Sequence, residues 1–307
     1  MNATWLDTLV TPWRRARVTR GAGARTRPDL RFMHLPQASI RYRDSGADTH
    51  KPCVVLCADP PVVLELYDAL MAELAPQFRV VVLELPAFGL SLPRLGLPFA
   101  LDTVAALVGD FLQRLGAGPY ILAFPCVPAY SALWLARHRP QLVAGLVLMQ
   151  APDWPQELQW KHGRDPKGIL ARPVVGQLLL RLLRRRRADL WYRLALGRRE
   201  LLEPFCAATQ CAFDHGGGFS LASAFQRHLA GPEPDFTGIG QPALAIWGGA
   251  DRSHAQTDKA SILRYLPQAR LLHFGEAGHF PELEAPRRFA AELRREFAAP
   301  AIGVPRP

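Results

Sequence analysis

Runs of consecutive apolar residues alternate along this chain with segments whose apolar residues recur at helical spacing. The strand-type runs lie at residues 53–57, 80–83, 121–124, 146–149, 243–247 and 270–273. The segments with helical spacing lie at residues 62–75, 101–115, 129–138, 259–266 and 286–297. Continuous Val, Ile and Leu runs are typical of strands that are buried on both faces of a parallel sheet, and helices connect such strands. The pattern therefore predicts an α/β fold, with one mainly parallel sheet covered by helices on both faces.

The alternation of strands and helices stops between residues 150 and 240. This stretch has no comparable strand-type run, contains at least two helical segments, and ends in the turn-forming sequence Gly238-Ile239-Gly240-Gln241-Pro242. We interpret it as a helical cap inserted into a single sheet domain. The predicted organisation is an Arg- and Pro-rich leader (1–37), the first part of the core (38–149), the cap (150–240), the second part of the core (241–298) and a tail (299–307).

A cysteine lies at one of the predicted strand–helix junctions. Cys126 follows the apolar run 121–124 and precedes the helical segment 129–138. A tight turn in this context lifts one side chain above the sheet edge, and the N-terminus of the helix favours negative charge there. Asp251 and His279 follow later in the chain, so the order nucleophile, acid, histidine gives a candidate Cys-His-Asp triad. The helix N-terminus and a paired histidine would lower the pKa of the thiol and favour the reactive thiolate.

From about Ile40 to Phe297 the chain resembles the α/β-hydrolase superfamily, in its esterase-like, cap-bearing branch. Residues 84–89 (Glu-Leu-Pro-Ala-Phe-Gly) are similar to the family's D-x-P-G-x-G turn, and residues 136–148 to its helix end and next strand. Counting back from Pro140 by the family's spacing places the nucleophile at Cys126. The resemblance covers most of the chain and implies the α/β-hydrolase fold.

The resemblance also implies a function for the candidate triad. Cys126 would act as the nucleophile, His279 as the base and Asp251 as the acid that orients it, on an ester, a thioester or a lactone. Family members such as dienelactone hydrolases and polyhydroxyalkanoate synthases carry a cysteine at this position. The expected enzyme is a hydrolase (for example a thioesterase) or an acyltransferase that forms an acyl-Cys intermediate on a small-molecule acyl substrate. Neither a cofactor nor a metal ion is expected.

The sequence departs from the family pattern around Cys126. The family's G-x-S-x-G reads Phe-Pro-Cys-Val-Pro at 124–128, and its H-G reads Ala58-Asp59, followed by Pro60. We expect the backbone N–H of Val127 to serve the oxyanion hole, whereas Pro60 has no N–H at the second position. Loss of one such donor costs roughly 10²–10³ in rate. Two alternatives follow: Cys126 is a small residue that fills the turn, or the protein is a catalytically degraded homologue that binds a ligand or a partner.

Four residues beside the triad are expected to line the substrate pocket: Ala58, Asp59, Phe124 and Phe280. For Asp59 the favoured interpretation is a cap on the helix that follows, and the alternative is a carboxylate that points into the pocket and repels anionic substrates. Asp153 is interpreted as a turn residue rather than as another catalytic acid. His254 is interpreted as a solvated loop residue.

Composition adds a charge imbalance to this picture. The formal net charge is +10; residues 161–200 hold twelve Lys and Arg against three acidic residues, and residues 1–43 hold nine Arg against two. A cap helix over 173–197, with an Arg cluster at 184–187, would attract coenzyme A, an acyl carrier protein or an acidic membrane surface. The alternative is that these arginines face water while the apolar side of the helix covers the pocket. Nucleic acid is not an expected partner, because no recognition motif accompanies the charge.

Cysteine usage and hydropathy bear on the compartment. The five cysteines are odd in number and lack C-x-x-C spacing, which indicates reduced thiols rather than a disulfide framework or a zinc site. No apolar run approaches the roughly 20 residues that span a bilayer, and residues 1–10 are too short and too mixed for a secretory signal. A cytoplasmic location is therefore expected, with peripheral membrane contact through the Arg-rich helix as the alternative.

Overall fold

The computed structural model describes residues 3–9, 27–46 and 50–297, which form a central sheet of nine strands and a small two-stranded sheet. The strands are β1 (Leu30–His34), β2 (Ala38–Asp44), β3 (Cys53–Cys57), β4 (Arg79–Leu83), β5 (Phe88–Gly89), β6 (Leu92–Pro93), β7 (Tyr120–Pro125), β8 (Val143–Met149), β9 (Gly218–Phe219), β10 (Ala243–Gly248) and β11 (Arg270–Phe274). The order across the central sheet is β1-β2-β4-β3-β7-β8-β10-β11, with β6 paired to β2. From β4 to β11 all neighbouring strands are parallel, whereas β2 is antiparallel to β1 and to β4. The predicted mainly parallel sheet is confirmed.

Helices cover both faces of the sheet and fill the interval between β8 and β10. They are α1 (Trp5–Leu9), α2 (Asp68–Leu74), α3 (Leu101–Leu115), α4 (Cys126–His138), α5 (Trp154–Arg164), α6 (Val175–Ala195), α7 (Leu202–Asp214), α8 (Leu221–Ser223), α9 (Pro281–Glu284) and α10 (Pro286–Phe297). Short 3₁₀ turns lie at Leu64–Tyr67, Pro140–Leu142, Arg199–Leu201 and Ser261–Arg264, and a π-helical turn lies at Ala224–His228.

Successive side chains of each central strand enter two separate hydrophobic cores, one on each face of the sheet. In β3, Val54 and Leu56 belong to the core that α2 and α10 cover, and Val55 and Cys57 belong to the core that α3 and α4 cover. A strand that is buried on both faces has no solvent-facing positions. Its sequence is therefore continuously apolar rather than alternating.

The interval between β8 and β10 contains α5 to α8 and the two-residue strand β9, and we use the name cap for its residues 150–240. β9 pairs with β5, where Phe219 lies opposite Phe88, and this pair joins the cap to the turn after β4. The first cap helix, α5, begins directly after Asp153, whose carboxylate accepts a hydrogen bond from the N–H of Gln156 at 3.1 Å. Asp153 is thus a helix cap, which agrees with its interpretation as a turn residue.

The predicted leader at residues 1–37 is wrong in its C-terminal part. Leu30–His34 forms β1, the antiparallel edge strand of the sheet, because its partner β2 continues the sheet beyond β4. An edge strand with one exposed face lacks the continuous apolar run that marks the inner strands. At the other end of the leader, the hydroxyl of Ser223 in the cap donates a hydrogen bond to Asp7 in α1. Most of the remaining leader and the predicted tail at 299–307 lie outside the described residues.

The carboxyl ends of the parallel strands meet at one edge of the sheet, which is where open α/β sheets bind their ligands. Asp59 lies two residues beyond β3, Cys126 directly after β7, and Asp251 three residues beyond β10. The loop after β11 carries His279. The topology therefore brings these four side chains to the same edge. Among the residues that the structure describes, no helix has both the length and the apolar character needed to cross a membrane.

Candidate active site

Cys126 lies at the turn from β7 into α4. Its φ of 40° is in the left-handed region, which is uncommon for a residue with a side chain. Pro125 ends β7 in an extended conformation, and Pro128 lies in the first turn of α4, where a missing N–H breaks no helical hydrogen bond. Pro125 and Pro128 are therefore both accommodated, and the turn has the strand-to-helix geometry of a nucleophile position.

His279 lies between two carboxylates and is 0% exposed. Its Nδ1 is 2.7 Å from Oδ2 of Asp251, and its Nε2 is 3.0 Å from Oδ2 of Asp59. The contact with Asp251 has the arrangement that the sequence predicts for a base and its orienting acid. The interpretation of Asp59 as a helix cap is wrong, because the following helical turn begins only at Leu64 and the carboxylate accepts a hydrogen bond from His279 instead.

Asp251 is held in place by groups from two strand ends. The side-chain amide of Gln150, which follows β8, donates to Oδ2 of Asp251, and the N–H of Ser253 donates to its Oδ1 at 2.7 Å. The Gln150 oxygen in turn accepts the N–H of Gly248 at 2.8 Å. Gln150 therefore fixes the orientation of the acid, a role that nothing in its sequence context signals.

The two carboxylates hold His279 in its charged form. Burial opposes the charge, but the negative charge of Asp251 and the hydrogen bonds to both aspartates raise the pKa of His279 well above its usual range. Burial likewise opposes ionisation of Asp251, but the imidazolium keeps the pKa of this carboxyl well below that of a free aspartate. For Asp59 burial dominates and raises its pKa despite the hydrogen bond from His279. Of the two carboxylates, Asp59 is therefore the better proton acceptor.

The Cys126 thiol is not activated in this arrangement. Burial and the neighbouring charges of Asp59 and Glu157 raise the pKa of Cys126, and the positive charge of His279 does not reverse the effect. The expectation of a lowered thiol pKa is therefore wrong, because burial outweighs the positive charge of His279 and its hydrogen bond to the thiol. The sulfur nevertheless lies within 4.8 Å of a ring nitrogen of His279.

His254 is buried beside His279, so its interpretation as a solvated loop residue is wrong. It is 1% exposed, and its ring stacks on Trp160 and on His279 with centroid distances of 5.3 Å in both cases. Burial and the charge of His279 lower the pKa of His254 to about 3, so this ring is neutral. A histidine in a loop sequence gives no sign of the cap tryptophan that packs on it.

The cluster of Cys126, His254 and His279 offers three metal-ligand atoms within 4.8 Å of one another. Its geometry does not favour an ion. The two imidazole planes are stacked at 16°, so their in-plane lone pairs run side by side instead of converging as tetrahedral zinc requires. Both nitrogens of His279 already bond carboxylates. These residues therefore support acid–base and nucleophilic chemistry better than metal binding.

A cavity of about 250 Å³ lies between the sheet edge and the cap, and Cys126 and Asp59 line it. Apolar side chains of the cap form much of the wall, among them Trp160, Leu180, Leu190, Trp191, Leu194 and Phe225. Not every leucine of α6 faces this cavity, because Leu182 is 81% exposed. The helix therefore covers the cavity with one side and leaves apolar surface on another.

Of the four predicted pocket residues, the cavity is lined by Asp59 but not by the other three. Phe124 is fully buried in the core that α3 and α4 cover, and Ala58 and Phe280 are buried in the core on the opposite face. These residues are close to the triad in sequence. However, successive side chains at a strand end point to the two faces of the sheet rather than out from its edge.

Both predicted oxyanion positions, Val127 and Pro60, line the cavity. Pro60 has no N–H to donate. Val127 is the second residue of α4, and N–H groups in the first turn of a helix have no intrahelical partner. Of this pair, Val127 is therefore the one able to stabilise an oxyanion.

Glu157 is a buried acid near Cys126 and His279 that sequence analysis missed. It lies on α5 and is 0% exposed, with one carboxyl oxygen 3.3 Å from the hydroxyl of Tyr130, which also lies 3.0 Å from the carbonyl of Pro152. Burial raises the pKa of Glu157 to about 8. The sequence does contain a signal for this burial. Glu157 lies three residues after Trp154 and three before Trp160, which puts the acid on the same helix face as two tryptophans.

The histidine loop is bonded directly to the cap. The backbone N–H of His279 donates to the carbonyl of Ala195, at the end of α6, at 2.8 Å. A Cβ on Gly278 would lie 2.0 Å from that same oxygen, so this position requires glycine. The carboxylate of Glu284 accepts the N–H groups of Gly278 and Gly197, each at 2.9 Å. The end of α6 therefore helps to position His279.

Comparison with known proteins agrees with this fold. The family model described as "alpha/beta hydrolase fold" matches residues 61–286, and the chain belongs to this family. It is an enzyme of the hydrolase type.

Individual relatives are distant. Haloalkane dehalogenase 2 of Mycobacterium tuberculosis (strain ATCC 25618 / H37Rv) is 25% identical over 277 residues, which cover 88% of this chain and 95% of the relative. Epoxide hydrolase A from Mycobacterium thermoresistibile superposes with a TM-score of 0.71 at 15% identity, covering 88% of this chain and 98% of that one. A hydrolase from Pseudomonas aeruginosa PA01 gives 0.68 at 22% identity, covering 89% and 99%. At such identities the structural likeness shows the fold alone.

Proposed function

We propose that this hydrolase cleaves an ester, a thioester or a lactone through a Cys-His-Asp triad of Cys126, His279 and Asp251. The observation that carries the proposal is the position of Cys126. It begins α4 in a left-handed conformation, lines the cavity, and has its sulfur within 4.8 Å of a His279 nitrogen. The acyl-Cys intermediate can pass its acyl group to water or to another acceptor.

The thiol itself favours an acyl substrate over the substrates that the relatives' names describe. A thiolate that attacks an alkyl halide or an epoxide forms a thioether, which water does not hydrolyse, so the enzyme would be inactivated after one turnover. A thiolate that attacks an acyl carbon forms a thioester, which water does hydrolyse. Turnover with Cys126 as the nucleophile therefore requires an acyl group.

The thiol proton needs an acceptor other than His279, because the imidazole is already protonated. In our proposal the S–H bond of Cys126 breaks, the proton passes to the Asp59 carboxylate, and His279 donates its Nε2–H to the thiolate instead. The thiolate attacks the acyl carbon, and the leaving oxygen or sulfur takes the proton from Asp59 as its bond breaks. Water then attacks the acyl-Cys, with Asp59 moving the proton from the water to the departing thiolate, which restores the thiol.

Mass spectrometry of the intact protein tests this assignment. After exposure to p-nitrophenyl butanoate or to a butanoyl thioester, we expect a butanoyl adduct on the wild type and none on Cys126→Ala. Cys206→Ala is the matched control, since it removes a partly buried thiol of α7 that does not line the cavity, and it should keep the adduct. Absence of a Cys126 adduct, together with unchanged turnover by Cys126→Ala, would refute the proposal.

The alternative of a degraded homologue that binds a ligand is favoured by two observations. Pro60 lacks the second oxyanion donor, and burial and Asp59 raise the pKa of Cys126. This alternative predicts that the wild type and Cys126→Ala bind an acyl ligand equally and that neither turns over any of the esters and thioesters.

A further inference from the structure

We infer that Arg164 and Arg187 form an anion-binding subsite in the wall of the cavity, so that the preferred substrate is an amphipathic acyl compound with a negatively charged group away from its reacting bond. The substrate class rests on the acyl chemistry proposed above. The negative group can belong to the far end of the acyl chain or to the leaving group, as in a coenzyme A thioester.

The cavity changes in character from its base to its mouth. At the base, Cys126 and Asp59 are 1% and 3% exposed. At the mouth, Leu190 is 51% exposed and Arg187 is also exposed. All four line the same cavity. The reacting bond of a substrate must reach the buried base, and the remainder of the molecule therefore extends toward the arginines.

The two arginines differ from a neighbour on α6 in having no acidic partner. Arg185 is paired with Asp214. In the part of the chain that the structure describes, neither Arg164 nor Arg187 forms an ion pair, and Nε of Arg164 is buried without a hydrogen-bond partner. A guanidinium with free N–H groups binds a carboxylate or a phosphate through two parallel hydrogen bonds. Arg164 and Arg187 are therefore available to a ligand.

Charge orients such a ligand in one direction. At the base, the carboxylates of Asp59 and Asp251 outnumber the single positive charge of His279. An anionic group is repelled there and attracted to the two arginines of the cavity wall. The remaining wall is largely apolar and takes the alkyl part of the ligand, through side chains such as Leu180, Trp191 and Leu194.

A binding experiment that needs no turnover tests the subsite. Calorimetry compares hexanoate with its neutral analogue hexanamide on the full chain. We expect hexanoate to bind about ten-fold more tightly, as charge-assisted hydrogen bonds predict, and this preference to weaken as salt is raised. The double variant Arg164→Gln/Arg187→Gln should lose the preference. The matched control Arg186→Gln, which removes an exposed arginine of α6 that does not line the cavity, should keep it.

Equal binding of hexanoate and hexanamide by the wild type would overturn the subsite, and so would a preference that survives in the double variant. Neither arginine makes a hydrogen bond to another described residue, so the double variant is expected to fold, and circular dichroism and the melting temperature check this.

Two pairs of substrates locate the negative group. Butanoyl-coenzyme A is compared with the neutral butanoyl-N-acetylcysteamine, and the p-nitrophenyl monoester of glutarate with p-nitrophenyl butanoate. In the double variant, kcat/KM should fall about ten-fold for one anionic substrate and stay within about two-fold for the neutral ones. A loss with the coenzyme A thioester assigns the anion to the leaving group, and a loss with the glutarate ester assigns it to the acyl chain.

The two proposals fail in different ways. Equal losses of kcat/KM with charged and neutral substrates would overturn the subsite while the acyl chemistry stands. The opposite result is that none of the four substrates is turned over, while the preference for hexanoate is intact and depends on Arg164 and Arg187. This result would overturn the acyl chemistry while the subsite stands.

Discussion

Asp59 is predicted to restrain the reactivity of Cys126, and the variant Asp59→Asn tests this prediction. Asparagine has nearly the same size and keeps an oxygen that can accept the Nε2–H of His279. The substitution removes the negative charge that, together with burial and Glu157, raises the pKa of the Cys126 thiol. The thiolate should therefore form more readily, with the imidazolium of His279 as its counter-ion.

The size of the change in thiolate fraction follows from the short distances between Asp59, His279 and Cys126. Oδ2 of Asp59 is 3.0 Å from Nε2 of His279, and the sulfur of Cys126 lies within 4.8 Å of a ring nitrogen of the same histidine. At a separation of roughly 6 Å and an effective dielectric constant of about 20, a carboxylate and a thiolate repel each other by about 3 kcal/mol, which is roughly a hundred-fold in thiolate fraction. A less basic thiolate is also a weaker nucleophile, so the alkylation rate should rise about ten-fold.

The assay is the rate of iodoacetamide labelling of Cys126 near neutral pH, followed by peptide mass spectrometry to separate this cysteine from the exposed Cys211. Asp258→Asn, which removes a surface carboxylate, is the control and should label at the wild-type rate. Turnover of esters should instead fall in Asp59→Asn, because asparagine cannot protonate the leaving group. A variant that melts at the wild-type temperature and labels no faster than the wild type would refute the reasoning.

Two further predictions concern stability. Gly278→Ala should lower the free energy of unfolding by about 2 kcal/mol or more, because its Cβ would lie 2.0 Å from the carbonyl oxygen of Ala195. The control is Gly275→Ala, whose Cβ would have nothing within 4 Å and which should cost less than about 0.5 kcal/mol. Equal melting temperatures of the two variants would contradict the close approach. Burial raises the pKa of Glu157 from 4.5 to about 8, so the stability that its protonated form contributes is present at low pH and is lost as pH rises between these values. Glu157→Gln should therefore gain stability relative to the wild type between about pH 5 and about pH 8 in urea unfolding, and a difference that does not change with pH would argue against a buried neutral acid.

The inner strands could be predicted because burial on both faces requires a continuous apolar run in the sequence. β3 and β7 are fully buried, and each contains a continuous apolar run. β1 has no such apolar run, because its burial is incomplete and its sequence mixes Leu and Phe with Arg and His. Local patterns thus report the inner strands of a parallel sheet and miss an edge strand whose place depends on pairing with β2.

The sequence predicts those residues of the candidate site whose positions are determined by the ends of strands. Cys126 is located by the end of β7, and the contact between Asp251 and His279 follows from their loops at one sheet edge. The hydrogen bond between Asp59 and His279 joins residues 220 positions apart, and the stacking of His254 needs a cap tryptophan. These contacts depend on how the cap and the loops pack, which no local pattern records.

The hydrogen bond from the His279 N–H to the Ala195 carbonyl makes the cap a poor candidate for exchange as an independent module. In other respects the cap could be replaced as a unit, since it forms much of the cavity wall while Cys126 and Asp251 lie at the sheet edge. Here the backbone of Gly197 and Arg198 is bonded, through Glu284, to the loop that holds the histidine. A chimera with a foreign cap would have to retain residues 195–198 as its junction, or His279 would lose its anchor. New specificity is therefore more accessible by substitutions earlier in α6 than by transplantation of the whole segment.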